Sequence, residues 1–345
     1  MKEFQTSRMA KGSQLDAKQS SAKAAIRRER SRLIKIGYHA RVLLFPAKRR
    51  RLPLDYTGQR AADRIAELLT SPAPCMIGRW GGTELAGLLS VWDLRDPRPV
   101  WAKRWKVFTG EMRAARGWNP RIRRHLAEWS GFFPLTDEAL ARFTERLERD
   151  AGELDLVGSW NAEETRVRHL HPRAEIVSLP DLRPERHDPP WSRVLAGRRV
   201  LVVHPFEASI RSQYARRERL FPDREVLPAF ELRTLKAVQS LGGVSDRFAT
   251  WFDALEWMCG EIDRQAYDVA IIGAGAYGMP LAAHVKRAGR KAVHLGGATQ
   301  LMFGIMGNRW QRDPDIAPLV NEYWVRPLPS ETPAVAGRVE SACYW

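Results

Sequence analysis

The feature that most constrains the fold is an apolar strand that runs directly into a glycine-rich turn and then a helix. Asp268-Val-Ala-Ile-Ile-Gly273-Ala-Gly275-Ala-Tyr277-Gly278-Met-Pro280 has the spacing Gly-x-Gly-x-x-Gly, with Pro280 near the start of the helix. Strand, tight turn and helix in that order form the repeating unit of a parallel α/β sheet. Glycines there let the backbone approach a phosphate, and the helix N-terminus offers free N–H groups to an anion. The spacing matches the dinucleotide fingerprint, which calls for an acidic ribose ligand after the next strand. That strand instead ends in His294-Leu295-Gly296-Gly297, without an acid. A tight turn with close helix packing and no ligand is the plainer reading of the same glycines.

The rest of the chain repeats this alternation. Strands are expected at Cys75–Gly78, Leu154–Trp160, Ala174–Leu179, Val200–Val203, Glu225–Ala229, Val269–Ile272 and Lys291–Leu295. Helices are expected at Ala61–Leu69, Leu85–Leu89, Ile122–Trp129, Asp137–Glu148, Phe252–Gln265 and Met279–Ala288. Together they imply a doubly wound, mostly parallel, Rossmann-like sheet flanked by helices. The catalytic body is expected over residues 52–312. An irregular, proline-rich tail follows at 313–345, pinned back by Trp324 and Trp345.

The charge is concentrated at one end. The chain of 345 residues carries a net +16, but residues 1–51 hold 15 Lys/Arg against 3 Asp/Glu, and the remainder 41 against 37. A basic extension attracts anionic lipid or nucleic acid. Residues 1–22 read as disordered. Residues 24–44 read either as an amphipathic helix lying on a membrane, with peripheral contact across 24–51, or as a helix packed on the body. The nearly neutral body disfavours a nucleic-acid-binding protein. Three distant cysteines, Cys75, Cys259 and Cys343, give no CxxC pair, so neither a zinc knuckle nor a disulfide framework is expected. With no span of about 18 apolar residues and no signal-peptide core, a cytoplasmic protein is expected, either free or held at the inner membrane face.

Four further strand ends carry polar groups. Arg79-Trp80-Gly81-Gly82-Thr83-Glu84 places a phosphate-binding guanidinium before a carboxylate at a helix start, where Glu84 is a candidate metal ligand, catalytic group or helix cap. His204-Pro205-Phe206-Glu207 offers two candidate acid/base groups, His204 and Glu207, with Arg211 and Gln213 for a polar or anionic ligand. Gly158-Ser159-Trp160-Asn161-Ala162-Glu163-Glu164 sets polar groups beside an aromatic platform for a sugar or base, or else a core tryptophan with surface acids. Gly296-Gly297-Ala298-Thr299-Gln300 builds a crevice rim, with Phe303–Trp310 as a candidate cover. With Gly273, Gly275, Tyr277 and Gly278, these segments converge on one sheet edge, where α/β proteins bind ligands.

The early Arg-aromatic-Gly-x-x-Glu element, taken with the late glycine-rich unit, resembles the GT-D-type glycosyltransferases and a group of bacterial proteins encoded with surface-polysaccharide genes. That family's early motif reads Arg-Phe-Gly-Asp-Gly-Glu, and its Asp-x-Glu element serves divalent metal and nucleotide-sugar binding. The matching residues here are Arg79, Trp80, Gly81, Gly82, Thr83 and Glu84, so Gly82 stands where the family has Asp. The resemblance, over roughly residues 60–310, implies transfer of a sugar from a nucleotide-sugar donor to a cell-surface glycan or lipid-linked acceptor, with Mn²⁺ or Mg²⁺ as the implied cofactor. With Gly82 in place of the acid, three readings stay open: Glu84 works with a distant carboxylate such as Glu207, the enzyme needs no metal, or catalysis is lost. Two alternatives remain: an NAD(P)-dependent oxidoreductase, and a non-enzymatic protein that binds anionic surfaces or nucleic acid through its tail.

Overall fold

The computed structural model describes residues 51–345 apart from 114, 244 and 339–341. The expected features of 1–22 and 24–44 lie outside the described residues. The described residues form two compact units, 98–115 and the remainder.

The larger unit is built on seven strands in the order β3-β2-β1-β7-β6-β4-β5, every neighbouring pair parallel. They are β1 (Cys75–Gly78), β2 (Leu156–Ser159), β3 (Glu175–Ser178), β4 (Arg199–His204), β5 (Glu231–Lys236), β6 (Val269–Ile272) and β7 (Lys291–His294). β1, β2 and β6 are buried at every position, as strands covered on both faces must be. Side chains alternate between two cores. Along β4, Leu201 and Val203 enter one, and Val200 and Val202 enter the other.

The first core holds α2 (Gly82–Arg95), α4 (Pro120–Ser130), α5 (Asp137–Ala151), α7 (Trp251–Asp263) and α8 (Gly278–Arg287). The second holds α1 (Gln59–Thr70), α6 (Glu207–Tyr214), α9 (Ala298–Met302) and apolar side chains of the C-terminal segment. Several helix starts are capped by the expected chemistry. Thr136 accepts from the Ala139 N–H, and Thr250 exchanges hydrogen bonds with Asp253.

One strand lies later than its sequence suggests. Residues Arg224–Val226 make a single 3₁₀ turn, fixed by Asp223, whose side chain accepts from the Glu225 N–H at 2.8 Å. Pro228 has no N–H to give a ladder, so pairing begins only at Glu231, opposite Arg199. Residues 98–115 contain α3 (Val100–Thr109), a helix absent from the sequence expectations. Among the described residues, no helix is long and apolar enough to cross a membrane.

The C-terminal segment folds back onto the second core. Trp324 Nε1 donates to the Leu220 carbonyl at 2.9 Å and Trp345 Nε1 to the Glu331 carbonyl at 3.1 Å. Glu331 then caps α6 from far along the chain: its Oε1 accepts from the Ala208 and Ser209 N–H groups at 2.7 and 3.2 Å.

Candidate functional site

The order of the strands places a crevice. β1 and β7 are neighbours, yet β1 leads into α2 on one face and β7 into α9 on the other. The chain therefore diverges above the carboxyl ends of these two strands, the switch point at which open parallel sheets bind ligands.

Arg79 leaves β1 at this point. Its Nε and Nη2 donate to the Trp80 carbonyl at 3.2 and 2.8 Å, and Trp160 Nε1 donates to the same oxygen at 3.1 Å. One carbonyl thus fixes both side chains, leaving the guanidinium carbon 5.7 Å from the centre of the Trp160 ring. Trp80 is itself anchored, fully buried, with Nε1 donating to His171 Nε2 at 3.3 Å. Trp160 lies at the end of β2 and keeps 37% of its surface exposed.

Further groups surround Arg79. Gly296, with φ of 61°, lies so close to the guanidinium that a methyl there would fall 2.9 Å from Nη1. Burial lowers the Arg79 pKa; Tyr344, Glu84 and Glu164 oppose that shift, while the like charge of Arg309 adds to it. Arg309 also stacks on Tyr344, 4.9 Å from its ring centre, and Tyr344 packs over Gly297. Glu164, at the turn beyond β2, is fully buried; its Oε1 accepts from the Trp160 and Asn161 N–H groups, and burial raises its pKa despite these bonds. At the rim, Thr299 Oγ1 and Gln300 Oε1 are buried with no hydrogen-bond partner among the described residues.

The glycines of the early segment accommodate this arrangement. The Glu84 carboxylate folds back over Gly81, where a methyl would overlap it, and the Trp160 ring rests on Gly82, where a methyl would fall 3.0 Å from Cη2. An aspartate at position 82 would have to displace the indole.

The late glycines are filled from within. A methyl at Gly273 would fall 2.6 Å from the Gly296 carbonyl oxygen and Thr299 Oγ1, and 2.7 Å from His204 Cδ2. A methyl at Gly278 would meet the His294 ring at 2.0 Å. Gly275 adopts φ of 52°, the left-handed region open to glycine. Tyr277 points into the core, stacked on Trp251 with its hydroxyl 2.8 Å from Ser240 Oγ. The turn is thus tightly packed against its own strand ends.

His204 borders the rim of Gly273, Gly296 and Thr299 from the far side, while the rest of its segment is engaged within the fold. The His204 ring is buried, its pKa is lowered to about 3 by burial, and Nδ1 accepts from the Phe206 N–H at 3.0 Å. A neutral ring that accepts at Nδ1 carries its proton on Nε2 and is a hydrogen-bond donor there. Glu207 is engaged by the Thr234 hydroxyl and by Arg211 at 3.3 Å. Gln213 is buried, with Nε2 donating to the Gly304 and Tyr323 carbonyls. β7 and β6 lie between β1 and β4, so the strands that lead to Glu84 and Glu207 are separated by about 14 Å at the usual strand spacing. Among the described residues, no three His, Cys, Asp or Glu side chains gather to hold a metal. Hard cations want several oxygen ligands, so the described side chains do not fit Mn²⁺ or Mg²⁺.

Arg79, Glu84, Trp160, Gly296 and Gly297 are therefore brought together, with Glu164, Arg309 and Tyr344 added by the fold. Glu164 and Arg309 lie inside segments singled out in the sequence. Tyr344 carries no local signal, because only the fold-back of the C-terminal segment brings it to the crevice. Comparison with protein-family models, with curated proteins and with solved structures finds no match.

Proposed function

We propose that the chain transfers a sugar from a nucleoside-diphosphate donor to a hydroxyl acceptor, and that the crevice above β1 and β7 is its active site. The observation that carries this reading is the pair Arg79 and Trp160, fixed through one carbonyl at the switch point. A guanidinium presents a planar fork to phosphate oxygens, and a half-exposed indole offers a stacking face to a base or sugar. Arg309 supplies a second positive charge beside Arg79. Thr299 and Gln300 present buried oxygens that would otherwise each cost about 1–3 kcal/mol unsatisfied.

In the reaction, the bond between the anomeric carbon and the donor phosphate breaks, and the nucleoside diphosphate leaves with the electron pair. Arg79 and Arg309 stabilise that negative charge as it develops. The acceptor oxygen bonds to the anomeric carbon, and Glu84 takes its proton. Glu84 is the half-buried carboxylate beside Arg79; Glu164 faces the same guanidinium but is fully buried and held by backbone N–H groups. A dinucleotide-dependent oxidoreductase is favoured by the glycine spacing alone, and at Gly273 and Gly278 that turn is packed with the protein's own atoms.

Titration calorimetry of the full chain with UDP-, GDP- and dTDP-sugars, with and without Mn²⁺, tests the reading. Binding of one donor class, lost on Arg79→Ala, is expected. Folded protein that binds none of them overturns it.

A further inference from the structure

The unit of residues 98–115 has its burial inverted. On α3, Trp101, Trp105 and Phe108 are 74%, 56% and 41% exposed, while Lys103 is 7% exposed. Tryptophan is ordinarily well buried and lysine almost never is. The three aromatics occupy positions i, i+4 and i+7, so at 100° per residue they fall within an arc of about 60°. Arg104, also exposed, borders the same stripe. Trp105 and Phe108 pack with tilted rings, centres 5.6 Å apart, so these two present one joined apolar surface.

The charge of this unit has one sign. Residues 98–115 contain Arg98, Lys103, Arg104, Lys106 and Arg113 against Glu111 alone. Glu111 is already paired with Lys106 at 2.7 Å. An aromatic stripe bordered by cations fits the boundary between lipid headgroups and acyl chains, where indole rings settle and anionic phosphates meet Lys and Arg. Ten residues of helix span about 15 Å, half a bilayer core, so such a helix lies along the surface and does not cross it.

We infer that α3 is an interfacial membrane-docking helix, with Trp101, Trp105 and Phe108 inserted among the acyl chains of an anionic bilayer and Arg104 among its headgroups. This inference stands apart from the transferase reading, since it uses none of the crevice residues.

The test is co-sedimentation of the full chain with vesicles of phosphatidylcholine alone and of phosphatidylcholine mixed with phosphatidylglycerol, at low and high salt. Salt screens the attraction of the basic residues 1–51, whereas aromatic insertion survives it. Binding to the mixed vesicles that persists in part at high salt is expected. Trp101→Ser/Trp105→Ser should weaken that remainder roughly tenfold or more, and should remove the quenching of tryptophan fluorescence by bromine-labelled lipid. Trp101→Ser alone, at the most exposed of the three positions, gives the same direction with the fold intact. The inference fails if the full chain does not bind the mixed vesicles, or if the variants bind them as the parent does. It fails equally if the variants change only the oligomeric mass or the binding of single-stranded DNA.

Discussion

At the residue scale, the Trp80 carbonyl organises the candidate site, because it accepts from Arg79 and Trp160 together. Arg79→Lys keeps the charge but loses the fork that spans phosphate oxygens. Donor affinity should fall by about tenfold or more in calorimetry, with the melting temperature little changed. Trp160→Ala removes the stacking face, for which a loss of about 1–3 kcal/mol in donor binding is expected. Gly82→Asp would restore the acid of the family that the sequence resembles. The indole resting on Gly82 makes that substitution disruptive, at about 1–3 kcal/mol in denaturant unfolding. A gain of Mn²⁺ affinity with undiminished stability would contradict this account. Arg79, Glu84 and Trp160 were legible because each follows a strand, and strand ends share one edge of a parallel sheet. Gln213 and Tyr277 follow strand ends too, but the fold turns them inward, to backbone carbonyls and to Trp251. Local pattern gives a residue's edge of the sheet but not the direction in which its side chain points.

At the scale of elements, the strands that read most clearly are those buried on both faces. The edge strand β5, Glu231-Leu-Arg-Thr-Leu-Lys236, mixes charged and apolar residues, and an apolar run just before it drew the expectation away. α3 escaped because its aromatics face outward, and α9, with five residues, is too short to show a period. The C-terminal segment has no long element of its own, yet it completes α6: the Glu331 carboxylate receives two backbone N–H groups of that helix. Glu331→Ala removes the acceptor from both donors and leaves the Ser209 N–H buried and unpaired, so a loss of about 1–3 kcal/mol is expected. Limited proteolysis should then cut first within residues 313–345. Cleavage unchanged from the parent would mean that the tryptophans alone hold the segment.

At the scale of the whole molecule, three buried imidazoles tie stability to pH. Burial lowers the pKa of His204 and His294 to about 3 and that of His171 to about 4, from an ordinary value of 6.5. Between about 6.5 and those values, the unfolded chain binds protons that the folded chain refuses. Stability therefore rises with pH across that window and is lost as acid is added, by up to about 1.4 kcal/mol per pH unit for each ring. Denaturant midpoints measured at about pH 7 and about pH 5 should differ accordingly, and His294→Asn should flatten the dependence by close to one proton. Equal midpoints in the parent would refute it.

The contact between Gly278 and the His294 ring has a consequence for how such a sequence can drift. The imidazole occupies the space that any side chain at 278 would need, so neither position can enlarge alone. Alanine at 278 becomes admissible only once 294 has shrunk, and the two replacements together should be less harmful than the sum of each. Across descendants of this chain, 278 and 294 should change as a pair, and a glycine kept at 278 would record the bulk of its neighbour and not a bound nucleotide.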